Sequence, residues 1–154
     1  MIPDPELVLL LERTLHAPRD LVFQAWIDPQ HLAQWWGPKG FTNPECEVDA
    51  RTGGMIRITM QAPDGTLIPT EGTFLEITRP ERIVFSTQAF KNALGEAQLE
   101  TINTVTLTEV DGATHLTVQA VVTRAGPGVA ASLSSMQEGW NQSLDRLTAV
   151  IGGV

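Results

Sequence analysis

Residues 129–151 read VAASLSSMQEGWNQSLDRLTAVI. Leu133, Met136, Trp140, Leu144, Leu147 and Ile151 recur every three or four positions, so the stretch predicts one long amphipathic helix with an apolar stripe. A stripe this long needs a broad apolar surface beneath it, and the preceding residues supply one. From Phe41 to Thr123 short runs alternate with the turn dipeptides Gly53-Gly54, Asp64-Gly65, Arg79-Pro80, Leu94-Gly95 and Asp111-Gly112, the pattern of an antiparallel meander. Ile56, Ile58 and Met60, then Ile83 and Phe85, Val105 and Leu107, and Leu116, Val118, Ala120 and Val122 place apolar side chains on a single sheet face. Thr104, Thr106, Thr108, Thr117 and Thr123 take the opposite parity, which suits a solvated outer face.

Upstream, Glu6 to Leu15 read as a strand, and Ala17-Pro18 reads as the N-cap and first position of a helix carrying Val22, Phe23, Trp26 and Ile27. Asp28-Pro29 ends that helix and starts another with Leu32, Trp35 and Trp36 before Gly37-Pro38. The order of one strand, two helices, six strands and one helix predicts a two-layer α+β domain over residues 1–154. At 154 residues, 42% apolar and 18% charged, the chain has the makings of one soluble globular core. Ten Lys and Arg against eighteen Asp and Glu leave a net charge of −8, which excludes the basic surface that binding to phosphate backbones requires. The longest stretch free of Asp, Glu, Lys and Arg is thirteen residues, 125–137, too short for a membrane span. A single cysteine, Cys46, and a start without a basic n-region lead us to expect a cytoplasmic protein.

Five segments, read in order, carry a resemblance: APRDLVFQAWIDPQHLAQWWGP, GGMIRITMQAPDG, GTFLEITRPERIVF, VTLTEVDGATHLTV and EGWNQSLDRL. In order and spacing they resemble the activator of heat-shock-protein-90 ATPase homologue family, within the START-like, helix-grip (SRPBCC) superfamily, over about residues 8 to 151. The resemblance implies a curved sheet wrapped around the long C-terminal helix, a hydrophobic cavity between them, and two short helices closing one end. It leaves function open, because this scaffold carries lipid and hormone binders, cyclases, aromatases and chaperone activators. Relatives place an aromatic near Thr87 and a histidine near Ala120, where this chain has small residues. A wider and less polar cavity is therefore expected, and no catalytic histidine is carried over.

Combining the resemblance with inward parity gives an expected cavity lining of Trp35, Trp36 and Phe41 from the end of the second helix and the residues just beyond it. Met60, Phe85, Val105, Val118 and Ala120 would come from the sheet, and Met136 and Trp140 from the last helix. Chemistry-bearing candidates are few. Tyr is absent, Lys39 and Lys91 are the only lysines, and no serine occupies a nucleophile elbow. His16, His31 and His115 lack a partner at metal-ligand spacing, so neither a metal nor a cofactor is expected. The run Gly126-Pro127-Gly128-Val129-Ala130-Ala131 superficially resembles a dinucleotide fingerprint, but with only Gly152 to Val154 after the last helix the parallel strand of a nucleotide crossover is not expected, and a loop and helix start is the preferred reading. Glu71 shares strand parity with Leu75 and Ile77, which would aim it inward, and a bulge at Gly72 is the preferred reading that turns it outward. The leading expectation is a non-enzymatic binder of a small apolar molecule, possible also as a homodimer. The alternatives are a co-chaperone acting on a chaperone ATPase and a cyclase- or aromatase-type enzyme using the cavity.

Overall fold

The computed structural model describes the backbone of residues 6–91, 94, 97–126 and 130–151. Strand β1 (Glu6–Leu15) leads into helices α1 (Arg19–Ile27) and α2 (Pro29–Trp35). Six strands come next: β2 (Thr42–Val48), β3 (Met55–Gln61), β4 (Leu67–Thr78), β5 (Arg82–Lys91), β6 (Ala97–Val110) and β7 (Ala113–Ala125). Helix α3 (Ala130–Val150) closes the described chain. All seven strands form one curved antiparallel sheet in the order β1-β7-β6-β5-β4-β3-β2, so the meander runs outward from β7 and β1 returns to the edge beside it. The fold is α+β, as the sequence pattern predicted, with the helices on one face.

The turns work as their residues require. Asp111 (φ 51°) and Gly112 (φ 80°) both take the left-handed region, matching the two-residue hairpin that joins Val110 to Ala113. Helix α2 is capped by Asp28, whose Oδ1 accepts from Gln30 N at 2.8 Å with Pro29 at the first position. That backbone bond holds the Asp28 carboxyl below its usual range. At α1 the expected assignment moves by one residue: Pro18 is itself the N-cap, with φ −62° and ψ 148°, and no side chain caps the helix.

Inward positions fall where alternation put them, with Ile56, Ile58, Ile83, Phe85, Val105, Leu107, Leu116, Val118, Ala120 and Val122 all buried. Two readings of β4 need correction. Leu75 is 46% exposed, and the register shift lies between Phe74 and Glu76, so the extra residue is Leu75 and not Gly72. Gly72 stays in register opposite Ile56, while Glu71 stands opposite Arg57 and Gln88 on the outer face. Parity with Ile77 is lost at Leu75, which is why Glu71 points outward. Gly72 has a different reason: a Cβ there would sit 1.7 Å from the backbone oxygen of Ser86, so β4 and β5 approach too closely for any side chain.

Along α3, Leu144 and Leu147 are fully buried, and Met136, Trp140 and Ile151 pack against the same core. Side chains of 127–135, Leu133 among them, lie outside the described residues, as does most of the Gly126–Ala131 run. No helix among the described residues is long and apolar enough to cross a membrane.

Candidate functional site

Four tryptophans converge where α1, α2 and α3 meet. Trp26 contacts Trp35 edge-on at 4.6 Å between ring centres and stacks on Trp140 at 6.1 Å, and Trp36 meets Trp140 edge-on at 5.5 Å. Phe85, from the sheet, lies 6.4 Å from Trp26 and 6.2 Å from Trp36. This cluster fills the space between helices and sheet at one end. At the other end the filling stops, and a pocket of about 300 Å³ opens between α3 and strands β3 to β6.

Its walls come from three sources. The end of α2 and the loop after it give Trp36, Gly37, Pro38 and Phe41. The sheet contributes Met60, Ile68, Thr70, Thr87, Ala89, Leu99, Thr101 and Asn103, and α3 contributes Met136, Gly139, Trp140 and Ser143. Five of the ten expected residues therefore surround the pocket: Trp36, Phe41, Met60, Met136 and Trp140. Trp35, Phe85, Val105, Val118 and Ala120 are closed core instead, at most 1% exposed. The reason is placement along the strands: α1 packs over β6 and β7, and the tryptophan cluster covers Phe85, so these inward residues have no empty space above them.

Further lining residues on β5 and β6, absent from the expected set, continue the same inward parity, two at a time. Leu99, Thr101 and Asn103 run into Val105 and Leu107, and Ala89 and Thr87 run into Phe85 and Ile83. Thr and Asn among them obscured a signal that was present. The same residues give the mostly apolar pocket a small polar group. Asn103 is 1% exposed, and its Nδ2 donates to Phe85 O at 3.3 Å and to Thr87 Oγ1 at 3.4 Å. Thr101 Oγ1, on a residue 2% exposed, donates to Asn103 Oδ1 at 3.4 Å and is hydrogen-bonded to Thr87 Oγ1.

The α2–β2 connection is held by α3. Arg146 Nη1 donates to the carbonyls of Trp36, Gly37 and Pro38 at 3.0 to 3.1 Å, and its Nη2 donates to Gln34 O at 3.0 Å. Asn43 Nδ2 donates to Ala33 O and Trp36 O, so the carbonyls that α2 leaves unpaired at its C-terminus find partners from β2 and α3. Ser143 Oγ accepts from Gly37 N at 3.0 Å. Gly37 takes φ 96°, and a Cβ there would press to 3.0 Å from Met60 Sδ, so glycine suits this turn twice over. Burial lowers the pKa of the Arg146 guanidinium, which nonetheless stays charged at any pH the fold meets.

Among the described residues, none of the pocket-lining side chains is ionisable. Glu71 faces the other way, and among the described residues no group of three or more His, Cys, Asp and Glu is arranged to hold a metal. His115 pairs with Glu12 at 3.3 Å on the surface, and His16 is exposed. Cys46 packs against the core, and burial, with a smaller contribution from the Asp28 carboxylate, pushes its thiol up to about 11. Against an ordinary value of 9.0 this cuts the thiolate fraction at pH 8 roughly a hundredfold. Iodoacetamide should therefore label the native protein far more slowly than the denatured one, as mass spectrometry over a time course would record. Equal rates would mean that the thiol is not desolvated.

A sheet gripping a long C-terminal helix, with a mostly apolar pocket between them, defines a helix-grip protein of the START-like class. The chain belongs to the family described as Activator of Hsp90 ATPase homolog 1-like protein, whose profile matches residues 16–152. Solved structures agree. A protein from Chromobacterium violaceum is 28% identical with a TM-score of 0.78, the match covering 97% of this chain and 98% of that one. A Nitrosomonas europaea protein is 26% identical with a TM-score of 0.77, covering 94% and 93%. The AHSA1 protein from Silicibacter pomeroyi shares the fold at 24% identity and a TM-score of 0.76, covering 92% and 94%. No curated protein matches the chain. Family membership supports a ligand-binding or co-chaperone-like helix-grip protein.

Proposed function

We propose that this protein binds a small, largely apolar, uncharged molecule in the pocket between α3 and the sheet, without transforming it. The pocket itself carries the reading. Its volume of about 300 Å³ is at the lower end for small-molecule sites, and aromatic and aliphatic walls with a few buried polar groups are the usual composition of such sites. A charged ligand would be desolvated with no counter-charge among the described lining residues, which disfavours it. The same lack of an ionisable group among the described lining residues argues against acid–base catalysis there. The single cysteine leads us to place the protein in the cytoplasm.

The test is a titration with the neutral fluorophore phenylnaphthylamine. Ala89 lines the pocket from β5, a strand position that tolerates an aromatic residue. Ala89→Phe should fill the pocket and weaken binding more than tenfold while leaving the fold intact by circular dichroism. Undiminished affinity in that variant would place binding elsewhere. The family description favours one further reading, docking on a chaperone ATPase through the outer surface. It makes the opposite prediction, since ATPase stimulation by Ala89→Phe would then equal that of the wild type. Native mass spectrometry of the purified protein would reveal a co-purified ligand and a homodimer together.

A further inference from the structure

Three hydrogen-bonding residues stand on the sheet side of the pocket: Thr87 on β5, and Thr101 and Asn103 on β6. The bonds among them close a ring. Asn103 Nδ2 donates to Thr87 Oγ1, Thr87 Oγ1 is bonded to Thr101 Oγ1, and Thr101 Oγ1 donates to Asn103 Oδ1. Either hydroxyl could donate to the other, but only a Thr87 donor leaves the Thr101 hydrogen for Asn103 Oδ1 and so satisfies all three acceptors, which assigns the hydrogen between the two hydroxyls to Thr87. The second Asn103 amide hydrogen goes to Phe85 O. Every hydrogen of the group is then committed, whereas each of the three oxygens has accepted one bond and keeps a second lone pair.

We propose that this ring reads a hydrogen-bond donor, so the ligand is a neutral, mostly apolar molecule carrying one hydroxyl or N–H that points at Thr87, Thr101 and Asn103. This rests on the pocket being a ligand site, as proposed above. An acceptor such as an ether or ester oxygen would meet three oxygens with no hydrogen to offer, and would lose its water without replacement. An ammonium group would supply a donor, but no carboxylate among the described lining residues balances its charge. Two further hydroxyls line the pocket without belonging to the ring. Ser143 Oγ, on α3, already accepts from Gly37 N, and Thr70 stands on β4 opposite Ala89. Neither alters the polarity of the ring itself, whose Thr101 and Asn103 are more deeply buried than Ser143.

The test displaces phenylnaphthylamine with three probes of one shape: naphthol, methoxynaphthalene and naphthalene. Naphthol should bind roughly three- to tenfold more tightly than methoxynaphthalene, the factor one neutral hydrogen bond supplies. Thr87→Val combined with Thr101→Val keeps shape and strand preference and should erase that ratio, while naphthalene affinity holds or rises. Thr87→Ser, which keeps the hydroxyl, should retain it. If all three probes bind the wild type equally, or methoxynaphthalene binds best, the donor assignment is overturned and the pocket remains a binding site. If none displaces the fluorophore and the fluorophore itself does not bind, the ligand-site reading fails and takes this inference with it.

Discussion

Arg146→Ala is expected to lower stability by about 2 to 4 kcal/mol, because one guanidinium serves four backbone carbonyls at the end of α2 and hydrogen bonds to charged groups are worth more than neutral ones. Those carbonyls belong to the segment that forms one wall of the pocket, since Trp36, Gly37 and Pro38 all line it. Losing the clamp frees that wall, so fluorophore affinity should fall even under conditions where the protein is fully folded. Arg146→Lys is a stringent comparison. An ammonium is a compact charge on a flexible stem and cannot reach four carbonyls in the planar arrangement that the guanidinium offers, so it should recover only part of the stability. Chemical denaturation with an unchanged m-value reads the first effect, and titration reads the second. A loss below about 0.5 kcal/mol would mean that Asn43 and Ser143 hold the α2 end without help.

Gly72→Ala should be at least as damaging, at about 3 kcal/mol or more. A methyl group at that position would lie 1.7 Å from Ser86 O and 2.7 Å from the Ser86 carbonyl carbon, and both are backbone atoms that cannot swing aside. Strands β4 and β5 would have to part where Thr73 N donates to Ser86 Oγ at 3.1 Å. Thr70 and Thr87 flank this point on the pocket side, so binding should weaken together with stability. Gly139→Ala provides the contrast within the same molecule. Its methyl would find Pro38 Cγ at 3.9 Å, an ordinary contact, and alanine within a helix is favoured over glycine by up to about 1 kcal/mol. Equal melting temperatures for the two variants would contradict the close approach of β4 and β5.

Much of the molecule is readable from its residues because the two periodicities are strict wherever a surface is buried on one side. Alternation in β3, β5, β6 and β7 fixes which side chains face the helices, and the stripe from Met136 to Ile151 fixes which face of α3 meets them. Asp28-Pro29, Asp111-Gly112 and Gly37 mark turns through dihedral requirements that are local and independent of the fold. Parity failed where it was broken without a sequence mark. Nothing about Leu75 announces that it is the extra residue in β4, and the glycine that attracted attention, Gly72, answers instead to the nearness of another strand.

Sequence alone therefore determined the element order, the inward face of the sheet and the nature of the closing helix, since each depends on spacing within one segment. Where along that inward face the filling ends was decided only by tertiary structure. Val105, Val118 and Ala120 have the same parity as Leu99, Thr101 and Asn103, and no local rule separates core from pocket among them. The separation comes from α1 and the tryptophans covering one end of the sheet, and from Arg146, more than a hundred residues beyond α2, holding that helix's end in place. These are contacts between distant segments, and their energies depend on which surfaces remain uncovered once every other segment has been packed.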